Sequence, residues 1–198
     1  MTPAPEYPVL GSEQIYQGKI ISLRRDTLQM EHGDTAEREI VAHPGAVVVV
    51  AVDDDENVVM VNQYRPALGR RLDELPAGLL DVAGEPAVLA ARRELAEEAS
   101  VQAGRWEVLL DLNTSPGFSD EAIRVYLARD LTDAGDPDGF VRAHEELTLR
   151  VTRVPLRRAV YRVLAGEITN AAAVAGILAA DVARNAGWAG LRPVEAPW

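Results

Sequence analysis

The stretch Gly78–Val101, GLLDVAGEPAVLAARRELAEEASV, decides how the rest of the chain is read. Glu94, Glu97 and Glu98 stand within five residues of one another. Residues three and four apart share a helix face, and at about 100° per residue these carboxylates fall within roughly a 100° arc. Val88, Ala91, Leu95 and Ala99 fall on an adjacent apolar stripe. One side of the predicted helix is therefore buried, and its border carries three negative charges. Each like-charged pair costs a few tenths of a kcal/mol on an isolated helix, and about 3 kcal/mol beside a low-dielectric wall. A hard divalent cation such as Mg²⁺, which takes carboxylate oxygens as ligands, reverses the sign of that energy. A solvated acidic face is the ordinary reading of such a helix, and Arg93 supports it by reaching Glu97 at i, i+4. The surrounding spacing weighs the other way.

That spacing resembles the Nudix box of the Nudix hydrolases. The family pattern is Gly, five residues, Glu, seven residues, then Arg-Glu-apolar-any-Glu-Glu-any-Gly-apolar. In this chain Glu85 is followed by seven residues and then by Arg93-Glu94-Leu95-Ala96-Glu97-Glu98-Ala99-Ser100-Val101. There are two departures. Six residues separate Gly78 from Glu85, and Ser100 replaces the glycine. The first lengthens a loop and leaves the helical carboxylate spacing intact. The second bears on how the helix ends, because glycine there usually takes a left-handed conformation. Pro116, fifteen residues beyond Val101, is either a plain turn proline or, by the same resemblance, the mark of the ADP-ribose pyrophosphatase branch.

Composition sets the bounds. A chain of 198 residues is one domain by default or two small ones, and it is long enough to bury a core. An apolar fraction of 47% and a charged fraction of 26% are ordinary for a globular protein. The absence of cysteine excludes disulfides and a thiol nucleophile and agrees with a reducing compartment. The N-terminal MTPAPEYPVLGSEQ lacks a basic region and an apolar core, so no secretory signal is expected, and no stretch reaches the length of a membrane span. Cytoplasmic residence is the expectation. A net charge of −11 argues against a general nucleic-acid binder. It also repels a phosphate-bearing substrate, so bound cations must reverse the local field.

Taken in order, residues 1–12 read as a loose, proline-rich lead. Short strands are expected at 20–23 and 27–30, with a turn over 31–34. Gly45 opens AVVVVAV (46–52), a strand buried on both faces. The acidic turn 53–57 and the returning strand 58–64 make 46–64 a hairpin. Arg65, Arg70 and Arg71 are a basic cluster around a Gly69 loop, either surface charge or a phosphate contact. The helix begins near Pro86 and ends near Ala99. Strands are expected at 106–112, 122–129 and 147–154, an acidic loop over 132–146, and helices at 155–166 and 170–186, the last capped by Asn170. The tail WAGLRPVEAPW is expected to fold back on the domain.

This order gives an α+β fold with helices flanking a mixed sheet. The resemblance implies the same: a Nudix-type α/β/α sandwich over residues 43–187, a small N-terminal β subdomain over 1–42 that is similar to a dimerisation arm, and a C-terminal tail over 188–198. It further implies metal ligands at Glu94, Glu97 and Glu98 and at the backbone carbonyl of Ala77. Arg93 would orient the carboxylates, and Glu85 would order the loop or act at the outer shell. Mg²⁺ is the implied cofactor, with Mn²⁺ as a substitute. The general base in this branch comes from a later loop, matched here by Glu146, with Glu145 and His144 as alternatives. A solvated loop is the bland reading of the two glutamates. Glu97, Glu98 and Glu146 make up the catalytic set. Arg38, Arg65, Glu121 and Phe118 match substrate-contacting positions. Tyr16 is a half-buried strand aromatic or a stacking platform for adenine.

The reaction so implied is Mg²⁺-dependent hydrolysis of the pyrophosphate bond of ADP-ribose to AMP and ribose 5-phosphate by a homodimer that binds neither nucleic acid nor membrane. Other readings are hydrolysis of another nucleoside diphosphate derivative (a sugar nucleotide or a dinucleotide), nucleoside triphosphate hydrolysis, and a non-catalytic ligand sensor.

Overall fold

The structure, a computed structural model, describes residues 6–135 and 147–198. Its chain divides into two compact units: residues 1–45 with 113–122, and residues 46–112 with 123–198.

The first unit is built on a three-stranded antiparallel sheet of β1 (Val9–Gln17), β2 (Ser22–Gln29) and β3 (Thr35–Ala42). Two expectations change here. Residues 9–12 are strand, although every residue of β1 is exposed; such a strand lacks the apolar alternation that would announce it and is held by its ladder to β2. The two short strands expected at 20–23 and 27–30 are one strand, and Ile20 and Ile21 lie in the β1–β2 turn closed by Gly18 N–H donating to the Ile21 carbonyl at 2.9 Å.

The second unit carries two sheets. One has the order β11 (Arg192–Pro193), β8 (Val101–Asn113), β9 (Ala122–Asp133), β4 (Ala46–Ala51) and β7 (Ala77–Leu79). β4 runs parallel to β9 and antiparallel to β7, so the sheet is mixed. The other has the order β10 (Arg150–Pro155), β5 (Asn57–Arg65) and β6 (Arg70–Glu74), all antiparallel. The run 46–52 is buried on both faces, as its composition predicts. Val47, Val49 and Ala51 pack with Ala90, Ala91 and Leu95 of α1 (Ala87–Ala99). Val48, Val50 and Val52 pack with Ala159 of α2 (Leu156–Leu164) and with Ala172, Ala173 and Ile177 of α3 (Ala171–Asn185). Period-two alternation thus feeds two cores from one strand, and helices cover both faces of the sheet. A fully buried leucine such as Leu95 contributes about 2 kcal/mol.

The alanine-rich α3 owes its position to small side chains. A β-carbon on Gly176 would stand 3.0 Å from both Leu75 Cδ1 and Val50 Cγ2. Its start is set by Asn170, whose side chain accepts from Ala173 N–H at 2.9 Å.

The hairpin expected over 46–64 is corrected. Its turn is real: Asp53 Oδ1 accepts from the N–H groups of Asn57 (2.8 Å) and Asp55 (3.1 Å). The two strands nevertheless share only a Val52–Val58 bridge and then enter different sheets. Both strands are buried through their apolar runs, and each takes its ladders from partners other than the other. Likewise, Arg70 and Arg71 belong to β6 rather than to a loop. The tail folds back as expected: β11 pairs with β8, and buried Arg124 donates to the carbonyls of Ala196 (2.7 Å) and Pro197 (3.0 Å). Among the described residues no helix is long and apolar enough to cross a membrane.

Candidate active site

α1 starts at Ala87, immediately after Pro86, and buries Ala90, Ala91, Leu95 and Ala99. Its acidic border is organised by Arg93. That guanidinium donates to both oxygens of Glu85 (3.3 and 3.2 Å), to Glu94 (2.7 Å) and to Glu97 (3.1 Å). These partners, Glu85 first, hold Arg93 firmly in its charged form. The extra residue between Gly78 and Glu85 is absorbed ahead of Glu85, in a turn where Gly84 has φ 78° and Glu85 N–H donates to the Val82 carbonyl at 3.1 Å. Glu85 still reaches Arg93.

Ser100 resolves the second departure from the family pattern. It takes the left-handed conformation itself, at φ 53° and ψ 38°, and its N–H donates to the Ala96 carbonyl. The helix therefore ends where a glycine would end it, and β8 begins at once with Val101.

The fourth carboxylate of the group turns to the sheet. Glu98 Oε2 accepts from the Ala77 N–H at 3.0 Å. Ala77 lies on β7, an edge strand, opposite Val48. Val49 N–H bonds to the Pro76 carbonyl at 2.8 Å. By the alternation of antiparallel ladders, Ala77 is thus at a non-hydrogen-bonded position whose peptide groups face away from β4. Next to it, a β-carbon on Gly78 would stand 2.1 Å from the Glu94 carboxyl group, so only glycine leaves room for Glu94 over this strand.

Arg65, on β5, donates two hydrogen bonds to buried Glu74 (2.8 and 2.6 Å). Glu74 and the nearby charge of Glu98 both favour its charged form. Arg71 bonds to Asn62 and Thr148, and Arg70 to Thr169. The basic cluster read from sequence is thereby dispersed into separate pairs. Glu74 itself was not foreseen. Its neighbour Asp73 is equally acidic, and only strand alternation decides which of the two is buried.

Arg38, Phe118 and Glu121 belong to the first unit. Arg38 is exposed and donates to the Glu37 carbonyl at 2.8 Å. Phe118 is 58% exposed. Glu121 accepts from the Thr114 hydroxyl and lies 3.7 Å from His43 Nδ1. Arg38 and Phe118 line one cavity of about 360 Å³ with Arg24, Ile40, Pro116 and Asp120. Tyr16 stands on β1, exposed rather than half-buried. His144, Glu145 and Glu146 lie outside the described residues.

Four carboxylates (Glu85, Glu94, Glu97 and Glu98) and Arg93 leave this helix border strongly negative. Among the described residues no three carboxylate or imidazole side chains gather as a closed ligand cluster. Arg93 spans three of the carboxylates, and Glu98 is turned to Ala77. The donor set still suits a hard cation that keeps several waters: carboxylate oxygens on one helix face, beside an edge-strand peptide that points toward them. The absence of a side chain at Gly78 lets Glu94 lie over this strand.

The NUDIX domain signature matches residues 42–168, spanning this helix and strands β4 to β10. The chain belongs to the Nudix family. The helix border is its Nudix box, and Nudix hydrolases generally use divalent metal ions. Residues 8–41 match the nucleoside diphosphate sugar hydrolase N-terminal domain. Among curated relatives, the chain is 50% identical over 193 residues to an ADP-ribose pyrophosphatase of Mycobacterium tuberculosis, covering 98% of this chain and 91% of that one. It is 42% identical over 141 residues to a methanol dehydrogenase activator of Bacillus methanolicus, covering 69% and 76%. A crystal structure of an ADP compounds hydrolase superposes with a TM-score of 0.76 over 94% of this chain and 99% of that one; at 20% identity it is a likeness of fold.

Proposed function

We propose that this Nudix hydrolase cleaves the pyrophosphate bond of ADP-ribose with water, giving AMP and ribose 5-phosphate. The observation that carries the reading is the complete carboxylate border of α1 over the Gly78 cradle, set in a chain that matches an ADP-ribose pyrophosphatase along nearly its whole length. Mg²⁺ is the proposed cation, with Mn²⁺ as a substitute. When bound, it neutralises phosphate charge and lowers the pKa of a coordinated water.

The chain's own residues have the following roles in this reading. Glu94, Glu97, Glu98 and the Ala77 carbonyl hold the cation. Arg93 keeps Glu94 and Glu97 in register with Glu85, which limits the reorganisation needed during the reaction. Glu146 takes a proton from the attacking water, with Glu145 and His144 as the neighbouring alternatives. Arg38 and Arg65 meet the phosphates and ribose of the substrate, Glu121 accepts from its hydroxyls, and Phe118 packs against it. Arg65 is prepared for this by Glu74, which fixes one edge of its guanidinium. Residues 1–42 form the arm of a homodimer, 43–187 the hydrolase domain and 188–198 the C-terminal tail. The enzyme works in the cytoplasm, on a small nucleotide and without nucleic acid or membrane.

A substrate panel tests the reading. ADP-ribose should give the highest kcat/KM among ADP-ribose, nucleotide sugars, dinucleotides and nucleoside triphosphates. A higher value for any other member would replace the substrate and keep the family chemistry.

A further inference from the structure

One buried charge in the first unit has no part in the chemistry above. Asp26, in the middle of β2, is 5% exposed. Its Oδ1 accepts from the Ser12 hydroxyl at 2.6 Å and its Oδ2 from Arg24 Nε at 3.0 Å. Burying a carboxylate in a small sheet is unfavourable unless it is paired and hydrogen-bonded, and an apolar residue would fill the same space without that penalty. Arg24 lies two residues away, on the same face of the strand. Its Nη1 faces Asp120 Oδ2 at 3.4 Å, and Asp120 Oδ1 accepts from the His43 N–H at 2.9 Å. Around this contact, β3 and the 113–122 segment are joined by Val41 N–H to the Phe118 carbonyl (2.7 Å) and Asp120 N–H to the Val41 carbonyl (3.2 Å). Arg24 also lines the cavity that holds Arg38 and Phe118.

We propose that Asp26 and Arg24 are positioning residues for substrate binding: Asp26 fixes the Arg24 guanidinium, and Arg24, through Asp120, fixes the 113–122 segment that presents Phe118 and Glu121. Ser12 completes the chain from β1. The identity of the ligand rests on the ADP-ribose reading; the positioning itself does not.

The test combines steady-state kinetics on ADP-ribose with amide hydrogen exchange in the full-length protein, for Asp26→Asn, Arg24→Gln, Arg24→Lys and Asp120→Asn. Asp26→Asn is isosteric and Asp120 lies at the exposed end of the chain, so a folding failure of one variant does not end the test. Misplacing a binding group should raise KM about tenfold in Asp26→Asn and Arg24→Gln, with kcat within about twofold. Exchange at Val41, Phe118 and Asp120 should accelerate in the same variants. Arg24→Lys, which keeps the charge without the fork, should fall between wild type and Arg24→Gln. Arg25→Gln, which breaks exposed contacts in the same sheet, should leave KM and exchange unchanged. Equal effects from Arg25→Gln, or unchanged exchange at 113–122 in Asp26→Asn and Asp120→Asn, would overturn the proposal. A wild type inactive on ADP-ribose would refute the substrate reading alone, since the exchange measurement still decides the positioning.

Discussion

The Glu94 carboxylate lies over Gly78 with no space for a β-carbon between them: one built on Gly78 would stand 2.1 Å from Glu94 Cδ. A glycine on an edge strand is thus the partner of a carboxylate on the facing helix. Gly78→Ala should displace Glu94 and cut metal-dependent turnover at least tenfold, a loss of about 1.4 kcal/mol of transition-state stabilisation, while circular dichroism remains that of the folded protein. Wild-type turnover in this variant would mean that the position of Glu94 does not matter.

Ser100 carries the cost of ending α1 without glycine. Its left-handed φ of 53° is unfavourable for a side chain by about 1 kcal/mol. Ser100→Gly should relieve most of that strain, offset in part by greater unfolded-state entropy and by loss of the interactions that the serine makes, and raise Tm by no more than about 2 °C. A lower Tm would show that the serine side chain contributes more than its backbone costs.

Arg93 is the internal counter-charge of the Nudix box. In Arg93→Gln, Glu85, Glu94 and Glu97 lose the cation that spans them. The variant should be less stable than wild type without divalent metal. Saturating Mg²⁺ should then raise its Tm more than it raises that of wild type, because a ligand bound only by the folded state stabilises it. Equal Mg²⁺-induced shifts would contradict the picture of Arg93 and the cation acting on the same carboxylates.

The tail supplies a pH dependence. Burial raises the pKa of Asp111, but hydrogen bonds from Arg124 and Arg192 outweigh it and hold the carboxyl below its ordinary 3.8. A depressed pKa means that the stabilisation is present above the unfolded value and is lost as pH falls through the folded one. Asp111→Asn should therefore lower the urea midpoint at pH 7, and the difference from wild type should shrink as pH falls below the ordinary 3.8 of the carboxyl. A difference that does not shrink in acid would assign the effect to packing.

The sequence was most legible where a pattern carries its own geometry. The REL.EE spacing placed Glu94, Glu97 and Glu98 on one border of α1, and the valine run 46–52 announced a strand buried on both faces. It was least legible where pairing is non-local. Nothing in the 46–64 composition says that β4 and β5 part after a single bridge, since β4 and residues 58–61 of β5 are apolar alike. β1 is exposed along its length and shows no alternation. Arg65 reads as a free basic residue until β6 brings Glu74 beside it. Likewise, Asp26 and Asp120 are 94 residues apart, and only the folded unit joins them through Arg24.

The carboxylates of α1 are proposed to serve metal-dependent cleavage of ADP-ribose. The most direct test is AMP release from ADP-ribose with and without Mg²⁺, in wild type and in Glu98→Gln. Release should require the metal and fall at least a hundredfold in the variant, about 2.7 kcal/mol in the barrier, with the fold intact. Undiminished release in Glu98→Gln, or release by wild type after chelation of all divalent metal, would contradict it.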